Sequence, residues 1–179
     1  FHERMKMEHL MKEKQYEKAL EVGRKSLQTD SSLTMLRIAC LNETGQLGSE
    51  LFTYPLVGGS EAMMPNGTSV KAMMWKYPGW MNKPSAWMVK HHLKYKIPAD
   101  YQLFALLLDR KIDDFVRQVG KHYNIVSAKL PTHYKEALVL YCHLRSHPIF
   151  EYHENVMDAD YQDYQTMEAK YGNAVERQA

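Results

Sequence analysis

An all-α fold of antiparallel helix hairpins is what this sequence predicts, and three observations predict it. Apolar residues recur at i, i+3, i+4 spacing over most of the 179 positions. Pro, Gly-Gly and Asn-Gly punctuation falls between those stretches rather than within them. Sustained apolar/polar alternation, the mark of a half-buried strand, occurs nowhere. About ten helices are expected.

The elements follow in order. Residues 3–12 place Met7, Leu10 and Met11 on one helical face. After a polar break, residues 16–27 carry Tyr16, Ala19, Leu20, Gly23 and Leu27 on one stripe, with Glu21 and Lys25 as an i,i+4 pair. Ser31 or Ser32 is then expected to cap a helix over residues 33–44 that stops at Gly45, a residue suited to a left-handed turn. A short helix over 46–54 ends at Pro55. Residues 55–69 lack periodicity and hold Gly-Gly and Pro-Asn-Gly, so they read as a long loop, functional or mobile. A short helix over 70–77 and another opened by Pro84 and Ser85 come next. Residues 99–110 and 111–124 form a tight helical pair, Pro131 opens a helix running to Pro148, and residues 158–172 form a last, tyrosine-rich helix. The organisation is therefore helical pairs over 1–55, an irregular Met/Trp-rich connection over 56–83 and helical pairs over 84–179, in one continuous domain.

Composition excludes several function classes. With 23 basic and 21 acidic residues the net charge is +2, which provides no field to gather nucleic acid or anionic lipid. No run of about 18 apolar residues exists to span a membrane. Cys40 and Cys142 are too few for a disulfide framework and too far apart for a zinc site; both are expected as small buried residues, with a single disulfide left open. The chain begins at Phe1 without an initiator methionine or signal peptide, as an excised portion of a longer product would.

Three segments align with one another: residues 15–27, 111–123 and 133–145. Each opens on a large apolar residue (Tyr16, Ile112, Tyr134) followed three positions later by Ala19, Phe115 or Ala137, and Gly45, Leu47 and Leu51 form a weaker echo. Two helices per unit, joined by two or three polar residues, would build this pattern. It resembles the tetratricopeptide (TPR) repeat family, matching at Tyr16, Ala19, Leu27, Asp30, Gly45 and Leu47 and departing at Gly23, Ser31 and Glu50. The resemblance implies a degenerate α-solenoid whose concave face binds a protein or peptide. Carrying the family register across places Met35, Asn42, Asp100 and Phe104 on the groove-facing side of the first helices of their units. A second resemblance, carried by "ALLLDRKIDDFV", "LPTHYKEALVLY" and "YGN", is to the soluble helical-repeat portion of an uncharacterised bacterial membrane-protein family. That would imply a membrane anchor elsewhere and a location at the cell envelope.

Residue chemistry adds no catalytic or metal signature. Residues 73–88 gather all three tryptophans and four of the twelve methionines, near His91 and His92. Soft ligands for Cu(I) or an aromatic ligand patch compete there with simple packing between helix pairs, which Met and Trp also serve. His91 and His92 point about 100° apart on a helix and cannot readily chelate one ion. Asp158, Asp160 and Asp163 lack the glycine and terminal glutamate of a calcium loop and read as the acidic start of a helix. Phosphate-binding loops, nucleophile elbows and basic aromatic helices are missing from the sequence. No cofactor is expected. The sequence thus favours a helical-repeat scaffold for a protein or peptide partner. Its rivals are a helical enzyme of the cell envelope acting on glycans through converging carboxylates, and a domain that supports a membrane region.

Overall fold

The computed structural model describes residues 2–26, 28–65, 75–78, 81 and 97–171. Among them the chain is all-helical, with eight α-helices, two 3-10 turns and no strand. The helices are α1 (His2–Lys12), α2 (Tyr16–Leu20), α3 (Ser31–Glu43), α4 (Leu47–Glu50), α5 (Ala99–Leu108), α6 (Ile112–His122), α7 (Thr132–Leu144) and α8 (Asn155–Lys170). The expected helix after Pro84, together with Leu27, Trp80, Trp87, His91 and His92, lies outside the described residues.

Each helix packs on its neighbour in sequence: α1 on α2, α2 on α3, α3 on α4, α4 on α5, and so through α8. Further pairings, α1 with α3 and α4 with α7, close the structure around one contiguous core that runs from Met7 on α1 to Tyr141 on α7. α3 lies at its centre, with every residue from 32 to 41 buried.

Three of the hairpins share one turn. In each, three residues separate the helices, and the middle one adopts left-handed backbone: Lys14 at φ 57°, Gly45 at φ 69°, Arg110 at φ 58°. The following N–H then reaches back five residues, from Gln15 to the Leu10 carbonyl (2.9 Å), Gln46 to Leu41 (2.8 Å) and Lys111 to Leu106 (2.8 Å). This pairing satisfies the orphan carbonyls of a helix end and reverses the chain. Gly45 adopts that backbone freely, whereas Lys14 and Arg110 hold it at a cost of about 1–2 kcal/mol each.

Four local expectations are corrected. α2 ends at Leu20 rather than continuing to residue 27. Gly23 turns left-handed (φ 65°) and gives its carbonyl to the Arg37 guanidinium (Nη2, 3.3 Å). Glu21 accordingly pairs with Arg24 at 2.9 Å, not with Lys25. The cap of α3 is Asp30, whose carboxylate accepts from the Leu33 amide at 2.8 Å; neither serine fills that place. A carboxylate at this position also meets the positive end of the helix dipole. α8 opens earlier than expected, because the Glu154 side chain caps it by accepting from the Met157 amide at 3.0 Å.

The glycine-rich stretch after Pro55 is built into the fold. Its 3-10 turn, Ser60–Met63, packs against both α3 and α5 and buries Ala62 and Met63. Ser60 donates its amide and its hydroxyl to Asp109, each at 2.9 Å, and these bonds hold the Asp109 carboxyl below the usual carboxylate range. Nearby, the Val57 amide donates to the fully buried Thr34 hydroxyl at 3.0 Å. Trp75 and Met81 are buried in the same core, as the packing reading of the Met/Trp segment requires of them. Both cysteines are free: Cys40 is buried, and Cys142 is half-buried with its thiol toward the Phe150 carbonyl (3.6 Å).

Candidate functional site

α7 is apolar on more than one side. Tyr134, Ala137, Leu138 and Tyr141 turn into the core, yet Leu140 and Leu144 are 40% and 52% exposed. Helical spacing puts His133, Glu136, Ala137, Leu140 and Leu144 on a single stripe. That stripe forms one wall of an open trough of about 440 Å³. The opposite wall comes from Phe52, from Leu107 at the end of α5, from Arg110 in the turn, and from Ile112 at the start of α6. The space is about that of a few large apolar side chains.

The floor is held by aromatic packing. Phe104, with no exposed surface, sets its ring 5.7 Å from Phe52, 5.3 Å from Tyr134 and, edge-on, 6.3 Å from His133. The Phe52 amide donates to His133 Nε2 at 3.2 Å, so the ring proton sits on Nδ1 and donates to Glu136 Oε2 at 2.8 Å. One histidine thereby fixes the Phe52 turn to α7 and orients Glu136 at the rim. Arg110, at the other side, is exposed and has no side-chain partner among the described residues. The trough is thus an oily channel with one uncommitted cation at its edge.

A second hollow, of about 310 Å³, is polar and lined by Glu17, Leu20, Glu21, Arg24, Gln46, Glu50 and Tyr54. Its charges are largely spoken for: Arg24 pairs with Glu21 and lies over the Tyr54 ring at 5.2 Å, while Thr53 reaches Glu50 at 3.4 Å. Glycoside cleavage uses a facing pair of carboxyls, one of them set among apolar side chains, whereas Glu17 and Glu21 face solvent.

The four residues placed by the repeat register divide into two pairs. Met35 has no exposed surface in the middle of α3, and Asn42 is half-buried near its C-terminal end, where its carbonyl accepts from Gly45 (3.2 Å). Asp100 and Phe104 lie one turn apart on α5 and both meet Tyr134. The Asp100 carboxylate accepts from the hydroxyls of Tyr123 (2.5 Å) and Tyr134 (2.7 Å), bonding α5 to the end of α6 and to α7. Burial and that carboxylate push both hydroxyls well up, so they remain donors. Met35 and Phe104 therefore touch protein on all sides, and only Phe104 belongs to the trough, from beneath.

Among the described residues no group of three or more His, Cys, Asp or Glu side chains is placed to hold a metal ion. No helix there is long and apolar enough to cross a membrane. No family model, no curated protein and no solved structure matches this chain.

Proposed function

We propose that this chain is a degenerate, TPR-like helical-repeat scaffold that binds a protein partner, and that the partner's apolar residues enter the trough between the α5–α6 turn and α7. The repeat reading is supported by the three like turns. Lys14 and Gly45 are 31 positions apart, near the roughly 34-residue period of such units. Gly45 and Arg110 are 65 apart, close to two periods.

The binding reading rests on one observation: a soluble-type composition leaves Phe52, Leu140 and Leu144 facing solvent together, around a channel of about 440 Å³. Single exposed apolar residues are ordinary, but a contiguous oily trough with a polar rim is what a groove for an amphipathic helix looks like. The free Arg110 favours a partner whose apolar stripe carries carboxylates beside it.

The test is fluorescence anisotropy with a labelled 16-residue amphipathic peptide, leucines on one face and glutamates beside them. The chain should bind it, and Leu140→Glu should weaken binding at least about tenfold by placing a charge in an apolar channel. Because Leu140 is 40% exposed, the variant should melt as the parent does. Equal binding by both proteins would remove the trough from the account.

A further inference from the structure

α8 is the helix that the core does least for. None of its 16 residues is buried, and among the helices it packs on α7. That junction is polar and aromatic: Asp158 accepts from His143 at 2.9 Å, and Tyr161 stacks on the His143 ring at 4.2 Å. Past Tyr161 the helix continues with Tyr164 51% exposed and Met167 60% exposed, ending beside Tyr171 at 38%. Helical spacing puts Asp160, Asp163 and Met167 on one face, with Tyr164 and Tyr171 beside them. Asp160 and Asp163 are exposed and have no side-chain partner among the described residues.

This face complements the trough in both respects that matter. It offers large apolar side chains to a channel walled by Phe52, Leu107, Ile112, Leu140 and Leu144, and two uncommitted carboxylates to a rim whose uncommitted group is the Arg110 guanidinium. We infer that the partner is a second copy of this chain, with α8 of each copy lying in the trough of the other. The inference rests on the reading of the trough as a docking groove. Both halves of the contact border α7, so one twofold axis beside that helix closes the two contacts into a dimer instead of an open chain. Carboxylate against guanidinium fixes the direction in which α8 enters, and the tyrosines and methionine supply the buried area.

Sedimentation equilibrium of the whole chain tests this with a charge swap. The parent should be a dimer at micromolar concentrations, and both Arg110→Asp and the double variant Asp160→Arg/Asp163→Arg should be monomers. Mixed in equal amounts, the two variants should form a heterodimer, since each contact then joins opposite charges again. All three positions are exposed, so circular dichroism should show unchanged folding. A parent that stays monomeric to about 100 μM, or variants that dimerise as the parent does, would overturn the inference. A monomeric parent that still binds the acidic amphipathic peptide would overturn the dimer alone and leave the scaffold standing; loss of both would overturn both.

Discussion

Arg37→Ala should lower the unfolding free energy by about 3–5 kcal/mol, a large share of what a domain of this size possesses. The side chain has no exposed surface, although it is charged and stands in the middle of the most buried helix. Its Nη1 donates to the Thr29 hydroxyl and to the Pro55 carbonyl, both at 2.7 Å, and Nη2 donates to the Gly23 carbonyl at 3.3 Å. Burial pulls the guanidinium below its usual value, and the carboxylates of Glu3 and Asp30 offset part of that cost. The gain is architectural: one planar group ties the end of the α2 turn, the entry to α3 and the exit from the 3-10 turn Leu51–Thr53 to a single point. Removing it orphans two backbone carbonyls and leaves a cavity, each a recognised source of large losses. Arg37→Lys should restore only part of the loss, because one ammonium cannot span three separated acceptors. Urea denaturation measures both variants; a loss under about 1 kcal/mol for the alanine would mean that water replaces the guanidinium and the tie is dispensable.

A comparable effect is expected from Phe104→Ala, about 3–5 kcal/mol, which is the usual cost of truncating a fully buried phenylalanine. In the proposed groove this variant links stability to binding. Phe104 supports Phe52 and His133 from below, and those two residues line the trough. Loss of the ring should therefore reduce peptide binding even at temperatures where the variant is folded. Phe104→Leu should retain more of both properties, since it refills most of the volume without the edge-on ring contact. A folded alanine variant with undiminished peptide binding would show that the floor does not shape the channel.

The helical class, the tight pairs and Gly45's place at a helix end are local properties, and local spacing carried them. The length of α2 was not legible, because its end depends on Arg37 taking the Gly23 carbonyl from fourteen positions downstream. An arginine amid "LTMLRIACL" was nevertheless a visible signal, since a charge inside an apolar helix must find fixed partners. The register that put Met35 and Phe104 in a groove assumed open first helices. In the structure the 3-10 turn Ser60–Met63 packs on α3 and α5, and the Thr34 hydroxyl next to Met35 accepts from the Val57 amide just before that turn. The trough itself joins Phe52 to Leu144 across more than ninety positions, beyond the reach of periodicity. Its one local trace is α7, whose apolar residues exceed a single face: Leu140 and Leu144 stand off the side that Tyr134, Leu138 and Tyr141 bury.

Amide shift mapping by NMR, with the acidic amphipathic peptide added to the isotope-labelled chain, bears most directly on the proposal that the trough is a docking groove. Shifts concentrated at Phe52, Leu107, Arg110 and the His133, Ala137, Leu140 and Leu144 stripe are the predicted result. Shifts gathered instead around Glu17, Glu21 and Glu50, or none at millimolar peptide, would contradict it.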